Sequence, residues 1–250
     1  MSKLVIENLS KSFGEQTILN QLNFHVAQEE IVSIIGPSGV GKSTLFNLIA
    51  GLLAPSSGEI LLDNHPITNQ PGNVAYMLQK DLLIPYKTIE KNIALPLILK
   101  GVKKAEALKR AHLLLVEFDL AHVAKAYPKS LSGGMRQRIA LLRTYLFSAN
   151  FILLDEPFSA LDPFTRKEIH SWYLKIHEQL KLTTLFITHD IDEAIKLSHR
   201  IYLLKGPSTD DFEEIAIDKK VRETKDFELS DAFLNYKKTI MHRLSQESCN

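Results

Sequence analysis

Apolar and polar positions change period along this chain. In "QLNFHV" they alternate at Leu22, Phe24 and Val26, the two-residue period of a half-buried strand, while "IVSII" (Ile31 to Ile35) has the near-continuous apolar pattern of a buried one. "KLVI" and "EILL" are further short strand candidates in the first sixty-odd residues, separated by turn residues. The period then lengthens. Ala105 to Phe118 and Met135 to Phe147 have helical spacing, followed by the apolar run Phe151 to Leu154 and a helix from Pro163. The strand "TLFIT" (Thr184 to Thr188), a helix near Asp192 to Leu197 and the strand "RIYLL" come next. "KGPSTDD" (Lys205 to Asp211) reads as a loop and Ser230 to Leu244 as an amphipathic terminal helix. Asp162 before Pro163 predicts a sharp helix start, a capping carboxylate followed by proline at the first helical position. Strands alternating with helices predict an α/β fold with a mostly parallel sheet, and the segment between Gln79 and Phe151 reads as a helical insertion.

Composition narrows the class. Hydrophobic residues make up 45 % of the 250 and charged residues 24 %, ordinary for a globular protein, and a net charge of +1 provides no field for non-specific attraction to nucleic acid or anionic lipid. "IALPLIL" (Ile93 to Leu99) is among the longest apolar runs, far too short to span a bilayer, and "MSKLVIENLSK" lacks the apolar core of a signal peptide. The expectation is a chain soluble on its own, with any membrane role exercised through a partner. The one cysteine, Cys249, leaves no internal disulfide and suits a reducing compartment.

Between the strand "IVSII" and the helical run "STLFNLIAG" lies Gly36-Pro37-Ser38-Gly39-Val40-Gly41-Lys42-Ser43, which satisfies G-x-x-x-x-G-K-[ST] and continues into Thr44. Glycines let the backbone curl so that successive N–H groups point inward, and the helix that follows adds its positive end. Lys42 is expected to reach the terminal phosphates of a nucleotide and the Ser43 hydroxyl to ligate Mg²⁺.

Two further segments carry candidate chemistry. "FILLDEP" sets Asp155 and Glu156 at the end of an apolar strand, where open α/β sheets bind ligands. Asp155 is placed to hold Mg²⁺ through its water shell, and Glu156 to polarise a water for attack on a γ-phosphate. "LSGGMRQR" (Leu131 to Arg138) begins a helix with Ser132 as N-cap and Gly133 and Gly134 behind it, a second anion-binding helix start. Two such elements in one chain serve either two ligands or one ligand shared between two copies.

The order GPSGVGKST, Gln79 in "YMLQKDLL", LSGGMRQR, FILLDEP, SALD (Ser159 to Asp162) and ITHD (Ile187 to Asp190) resembles the ATP-binding cassette (ABC) ATPases over about Leu4 to Leu204. The resemblance implies a P-loop NTPase core with an antiparallel β-subdomain and a helical subdomain. Residues 1–250 then form a single ATP-binding domain, with the helical subdomain at about 80–150 and a C-terminal extension at 205–250. It also implies a head-to-tail dimer, with ATP held between one copy's P-loop and the other's Ser132, Gly133 and Gly134. By position, Phe13 matches the aromatic that stacks on adenine, and Gln79 the glutamine that senses Mg²⁺ and the attacking water. Asp162 matches the residue that communicates across the dimer, and His189 the switch histidine that contacts the γ-phosphate. Met135 stands where many members have glutamine. Glu29 replaces a usual glycine, Leu142 and Thr144 replace alanines, and Asn150 replaces a proline.

Two classes of work for the ATP follow from the resemblance. One is the ATPase subunit of a membrane transporter, bound at the cytoplasmic face to separate permease subunits and served indirectly by a solute-binding protein. The alternative is a soluble ABC ATPase of DNA repair, translation or iron–sulfur assembly. DNA-repair members interrupt the cassette with long coiled coils and translation factors carry two cassettes, and this chain has neither feature. Lys100, Lys103, Lys104, Lys109 and Arg110 read as a solvated helix face, so no nucleic-acid partner is expected. "LQKDLLIPYKTIEKNIALPL", "SALDPFTRKEI" and the Gly206-Pro207 pair are similar to importers for nitrate, sulfonates, taurine and thiamin-precursor pyrimidines. Leu82, Leu83, Ile84 and Tyr86 of "LLIPY" are expected to form an exposed apolar cluster, a docking surface for a permease helix.

Overall fold

A computed structural model of the chain describes residues 2–148, 151–206, 212–222, 224 and 226–245. Sequence features at Asn150, at Pro207 to Asp211 and at Cys249 lie outside them. The chain divides into two compact units, residues 1–74 with 183–250, and residues 75–182.

The first unit opens with two long strands, β1 (Ser2–Phe13) and β2 (Gln16–Ala27), joined at Gly14, whose φ of 58° a tight turn requires. In β2 the alternation holds: Leu22, Phe24 and Val26 are buried, Gln21 and Asn23 exposed. Both strands run past the predicted segments because register shifts, with Asn8 and Gln21 at positive φ, let the pair bend and continue. β3 (Ile31–Ile35) leads to α1 (Lys42–Ile49), then β4 (Ser57–Leu62) and the short β5 (His65–Pro66). An antiparallel sheet results, in the order β2-β1-β4-β5.

The second unit begins with β6 (Ala75–Met77) and continues through α2 (Ile89–Leu99), α3 (Lys104–Glu117) and α4 (Gly133–Phe147) to β7 (Ile152–Asp155) and α5 (Pro163–Leu180). β6 and β7 pair in parallel, Tyr76 opposite Leu153 and Met77 opposite Leu154. α2 is one element that apolar periodicity did not reveal, because proline sits inside it. Pro96 removes one N–H from the helical ladder, but Ile89, Ile93, Ala94 and Pro96 are buried, and Thr88 caps the start. Asn92, fully buried, accepts the Ile84 N–H at 2.7 Å and donates to the carbonyls of Ile84, Lys87 and Thr88 at 3.1 Å each. One side chain thus fixes the turn before α2 to the helix itself.

The chain returns to the first unit as β8 (Thr184–Ile187), α6 (Ile191–Leu197), β9 (Arg200–Leu204), β10 (Phe212–Ala216), α7 (Lys219–Arg222) and α8 (Asp231–Ser245). β3 is flanked in parallel by β8 and β9, and β10 joins β9 antiparallel. Flanking strands and packed helices explain why all five residues of β3 are buried and why its sequence does not alternate. Phe233 and Ile240 of α8 pack with Ile35, Ile201 and Leu203, so this helix lies on the core of the first unit.

Candidate functional site

The loop after β3 is shaped by its glycines. A Cβ on Gly36 would lie 1.9 Å from the Leu204 carbonyl oxygen, so no side chain fits between the loop and β9. Gly39 and Gly41 adopt φ of 82° and 111°, the left-handed region that curls the backbone into a concavity. α1 starts at Gly41 with no side-chain cap and no acidic residue in its first turn. Its leading amides and positive dipole end therefore favour an anionic ligand. Lys42 Nζ donates to the carbonyls of Gly36 and Pro37 at 2.7 Å each, lying back across the loop. Pro37, Ser38, Gly39 and Ser43 are exposed, while Val40 and Thr44 are half-buried.

His189 follows β8, and the Thr188 amide just before it donates to the Ile34 carbonyl at 3.3 Å. Parallel pairing of β3 with β8 therefore brings His189 and the glycine loop to the same end of the first unit's sheet. Phe13, at the end of β1, is half exposed, with Lys11 Nζ 4.8 Å from its ring centroid.

In the second unit, parallel pairing of β6 with β7 delivers Gln79, Asp155 and Glu156 to one strand end. Gln79 Nε2 donates to Glu156 Oε2 at 3.1 Å and to Ser159 Oγ at 3.3 Å, and Ser159 Oγ donates to the Glu156 carbonyl at 3.0 Å. Glu156 has φ of 46°, a left-handed conformation that costs a non-glycine residue about 1–3 kcal/mol and recurs at functional sites. The Tyr76 hydroxyl donates to Asp155 Oδ2 at 3.2 Å. Burial, then the neighbouring Asp155 charge, pushes the Tyr76 phenol well above its ordinary range, so it stays a donor at any physiological pH. Sequence reasoning missed Tyr76 and the bridging role of Ser159. The available signal for the first was a lone hydroxyl-bearing side chain in the apolar run "VAYM".

The second helix start is also in this unit. Ser132 Oγ accepts the Met135 N–H at 3.3 Å as N-cap of α4. A Cβ on Gly134 would sit 2.5 Å from Thr165 Cγ2 of α5, so glycine is required for the two helices to approach. Asp162 Oδ1 accepts the N–H groups of Phe164 and Thr165 at 3.1 Å each. The Thr165 hydroxyl, then these amides, holds the Asp162 carboxyl below its ordinary range. Arg136 ties the same helix to the segment after Gln79, with Nε to Asp81 Oδ2 at 3.0 Å and Nη1 to the Leu131 carbonyl at 2.8 Å.

Of the departures noted in the sequence, Glu29 has φ of 59°, which explains why glycine suits that position. Leu142 is fully buried, and the buried Thr144 donates to the Ala140 carbonyl at 2.8 Å, so both fit α4 without a polar defect. The "LLIPY" expectation holds at two of its four positions. Leu82 and Tyr86 are 56 % and 78 % exposed, but Leu83 is 8 % exposed and belongs to the core, and Ile84 is half-buried. The Leu83 amide donates to Asp81 Oδ1 at 3.0 Å.

Comparison with known proteins decides the family. The family model described as ABC transporter matches residues 19–159, more than half of the chain. The chain belongs to the ABC transporter family. Among relatives of this ABC ATPase, the aliphatic sulfonates import ATP-binding protein SsuB of Bacillus cereus is 44 % identical over 205 residues, covering 80 % of each chain. The formylaminopyrimidine import ATP-binding protein ThiZ of Halalkalibacterium halodurans is 40 % identical, covering 88 % of this chain and 86 % of the relative. A dimeric bacterial ABC transporter cassette is similar in structure, with TM-score 0.72 and 33 % identity over 86 % of this chain and 99 % of that one. So is cbiO1 of Clostridium perfringens, part of the transporter complex cbiONQ, with TM-score 0.74 and 26 % identity over 81 % of this chain and 84 % of that one. The ABC cassette is thus an ATP-binding ATPase subunit. Among its described residues, no helix is long and apolar enough to cross a membrane.

Proposed function

We propose that this cassette is the ATP-hydrolysing subunit of an importer for a small solute of the nitrate, sulfonate, taurine or pyrimidine kind. Residues 1–250 act as one ATP-binding domain, with the helical subdomain at about 80–150 and the C-terminal extension at 205–250. It works as a dimer at the cytoplasmic face of the membrane, bound to permease subunits and served indirectly by a solute-binding protein. The import proteins that share four-fifths of their length with it support this reading. Leu82 and Tyr86 present the surface on which a permease helix docks.

The observation that carries the chemistry is the Gln79–Glu156 hydrogen bond at 3.1 Å. It joins the side chain suited to sense a water with the carboxylate suited to take its proton. In the reaction, Phe13 stacks on adenine, while Gly36 to Thr44 and Lys42 neutralise the phosphates. His189 contacts the γ-phosphate. Glu156 accepts the proton of the attacking water, and Gln79 orients that water. Ser132, Gly133 and Gly134 complete the partner's site, and Asp162 reports across the dimer.

Ser43, Asp155 and Gln79 offer hard oxygen donors, and among the described residues no group of three or more His, Cys, Asp or Glu could hold a metal ion by itself. That donor set fits Mg²⁺, which keeps several waters and needs few protein ligands. When bound, Mg²⁺ supplies charge neutralisation at the β- and γ-phosphates.

Glu156→Gln tests the assignment. The variant is expected to bind ATP, to run as a nucleotide-dependent dimer on size exclusion, and to turn over little. Lys42→Ala is expected to lose nucleotide binding. Wild-type hydrolysis by Glu156→Gln would remove Glu156 from the mechanism.

A further inference from the structure

We infer that Tyr76 is a positioning residue for Asp155, its phenol holding the carboxylate in the one orientation from which it would serve Mg²⁺. The inference rests on the metal role proposed for Asp155.

The geometry begins in the strand register. Tyr76 lies opposite Leu153 in the parallel β6–β7 pair, and Asp155 is two residues beyond Leu153. Side chains two apart on a strand share a face, and residues opposite each other in a pair share it too, so Tyr76 and Asp155 project from the same side. Two residues advance a strand by about 6.6 Å, a span that a tyrosine side chain reaches when it lies along the neighbouring strand. The hydroxyl accordingly meets Oδ2 at 3.2 Å. Asp155 is the last residue of β7 and half-buried, so its carboxylate orientation depends on partners such as this one. The donor on Oδ2 therefore fixes the rotation of the carboxylate about its own axis. Phenylalanine at position 76 preserves the ring and its packing and deletes only that donor. Partners that orient a metal-holding carboxylate in this way strengthen metal binding without touching the metal.

The test uses Mn²⁺ as a paramagnetic probe in place of Mg²⁺, with saturating ATP and the Glu156→Gln background to suppress turnover. Bound Mn²⁺ is followed by electron paramagnetic resonance. Tyr76→Phe is expected to raise the half-saturating Mn²⁺ concentration about tenfold. ATP binding in metal-free buffer should be unchanged. Asp155→Asn should also weaken Mn²⁺ binding, and adding Tyr76→Phe to it should cause no further shift, because the phenol acts through the carboxylate. A shift in Asp155→Asn but none in Tyr76→Phe overturns the positioning role alone. So does a lower melting temperature for Tyr76→Phe with unaltered Mn²⁺ binding, the signature of a purely structural phenol. No shift in Asp155→Asn overturns the metal reading of Asp155, and the role of Tyr76 with it.

Discussion

Glu29 sits at φ 59° in the turn between β2 and β3, its amide bonded to Thr183 Oγ1 at 3.0 Å. A left-handed conformation costs a residue with a Cβ about 1–2 kcal/mol, and glycine returns about half of that through its larger unfolded-state entropy. Glu29→Gly keeps the amide bond and is expected to stabilise the fold by about 0.5–1 kcal/mol. The urea midpoint should rise with an unchanged m-value. A lower midpoint would show that the side chain's own contacts outweigh the backbone term. Glu156 adopts the same conformation, but there the strain sets a carboxylate against Gln79, and replacement by glycine would remove that carboxylate with the strain.

At the scale of elements, the meeting of α4 and α5 decides where Ser132 and Asp162 stand. Gly134→Ala forces a methyl to within 2.5 Å of Thr165 Cγ2. Overpacking of this kind costs about 1–3 kcal/mol. Adding Thr165→Ser, which deletes Cγ2 and keeps the hydroxyl, should recover most of the lost stability in a denaturant titration. Failure to recover would place the strain elsewhere in the helix start. The cap of α5 brings a pH dependence. Hydrogen bonds lower the Asp162 carboxyl below its unfolded value of about 3.9. Its contribution is therefore fully present above that value and is lost as pH falls through the lower, folded one. Asp162→Asn retains a capping oxygen without the charge. Its melting temperature should lie below wild type at neutral pH, with the gap closing as the solution is acidified below about pH 4. A gap that persists in acid would assign the effect to shape and not to charge.

At the scale of the whole molecule, the proposed docking surface and the core draw on neighbouring side chains. Leu82 and Tyr86 are exposed, whereas Leu83 is core. Leu82→Ser with Tyr86→Ser should leave the melting temperature and basal ATP hydrolysis near wild type while reducing co-purification with membrane subunits and abolishing uptake. Leu83→Ser should cost about 2–5 kcal/mol, as truncation of a buried leucine does. Normal assembly and uptake in the double variant would move the docking surface elsewhere. Asn92 links these effects, because its four hydrogen bonds fix the turn that presents Tyr86.

Local signals in the sequence determined the strands with clean alternation or short apolar runs, the glycine loop, the capped starts at Ser132 and Asp162, and the carboxylates after β7. Each of these depends on residues within a few positions of one another, so spacing alone reveals it. α2 escaped because a proline tolerated for the burial around it looks, locally, like a helix breaker. The Tyr76–Asp155 and Gln79–Glu156 bonds escaped for a different reason. Their partners are 79 and 77 positions apart and meet only through the parallel pairing of β6 with β7. The inward turn of Leu83 likewise depends on its packed surroundings, which the run of apolar letters in "LLIPY" does not contain. Residue types and periods were local properties of the chain. Which side chains face each other, and which apolar ones remain exposed, was decided by long-range pairing and packing.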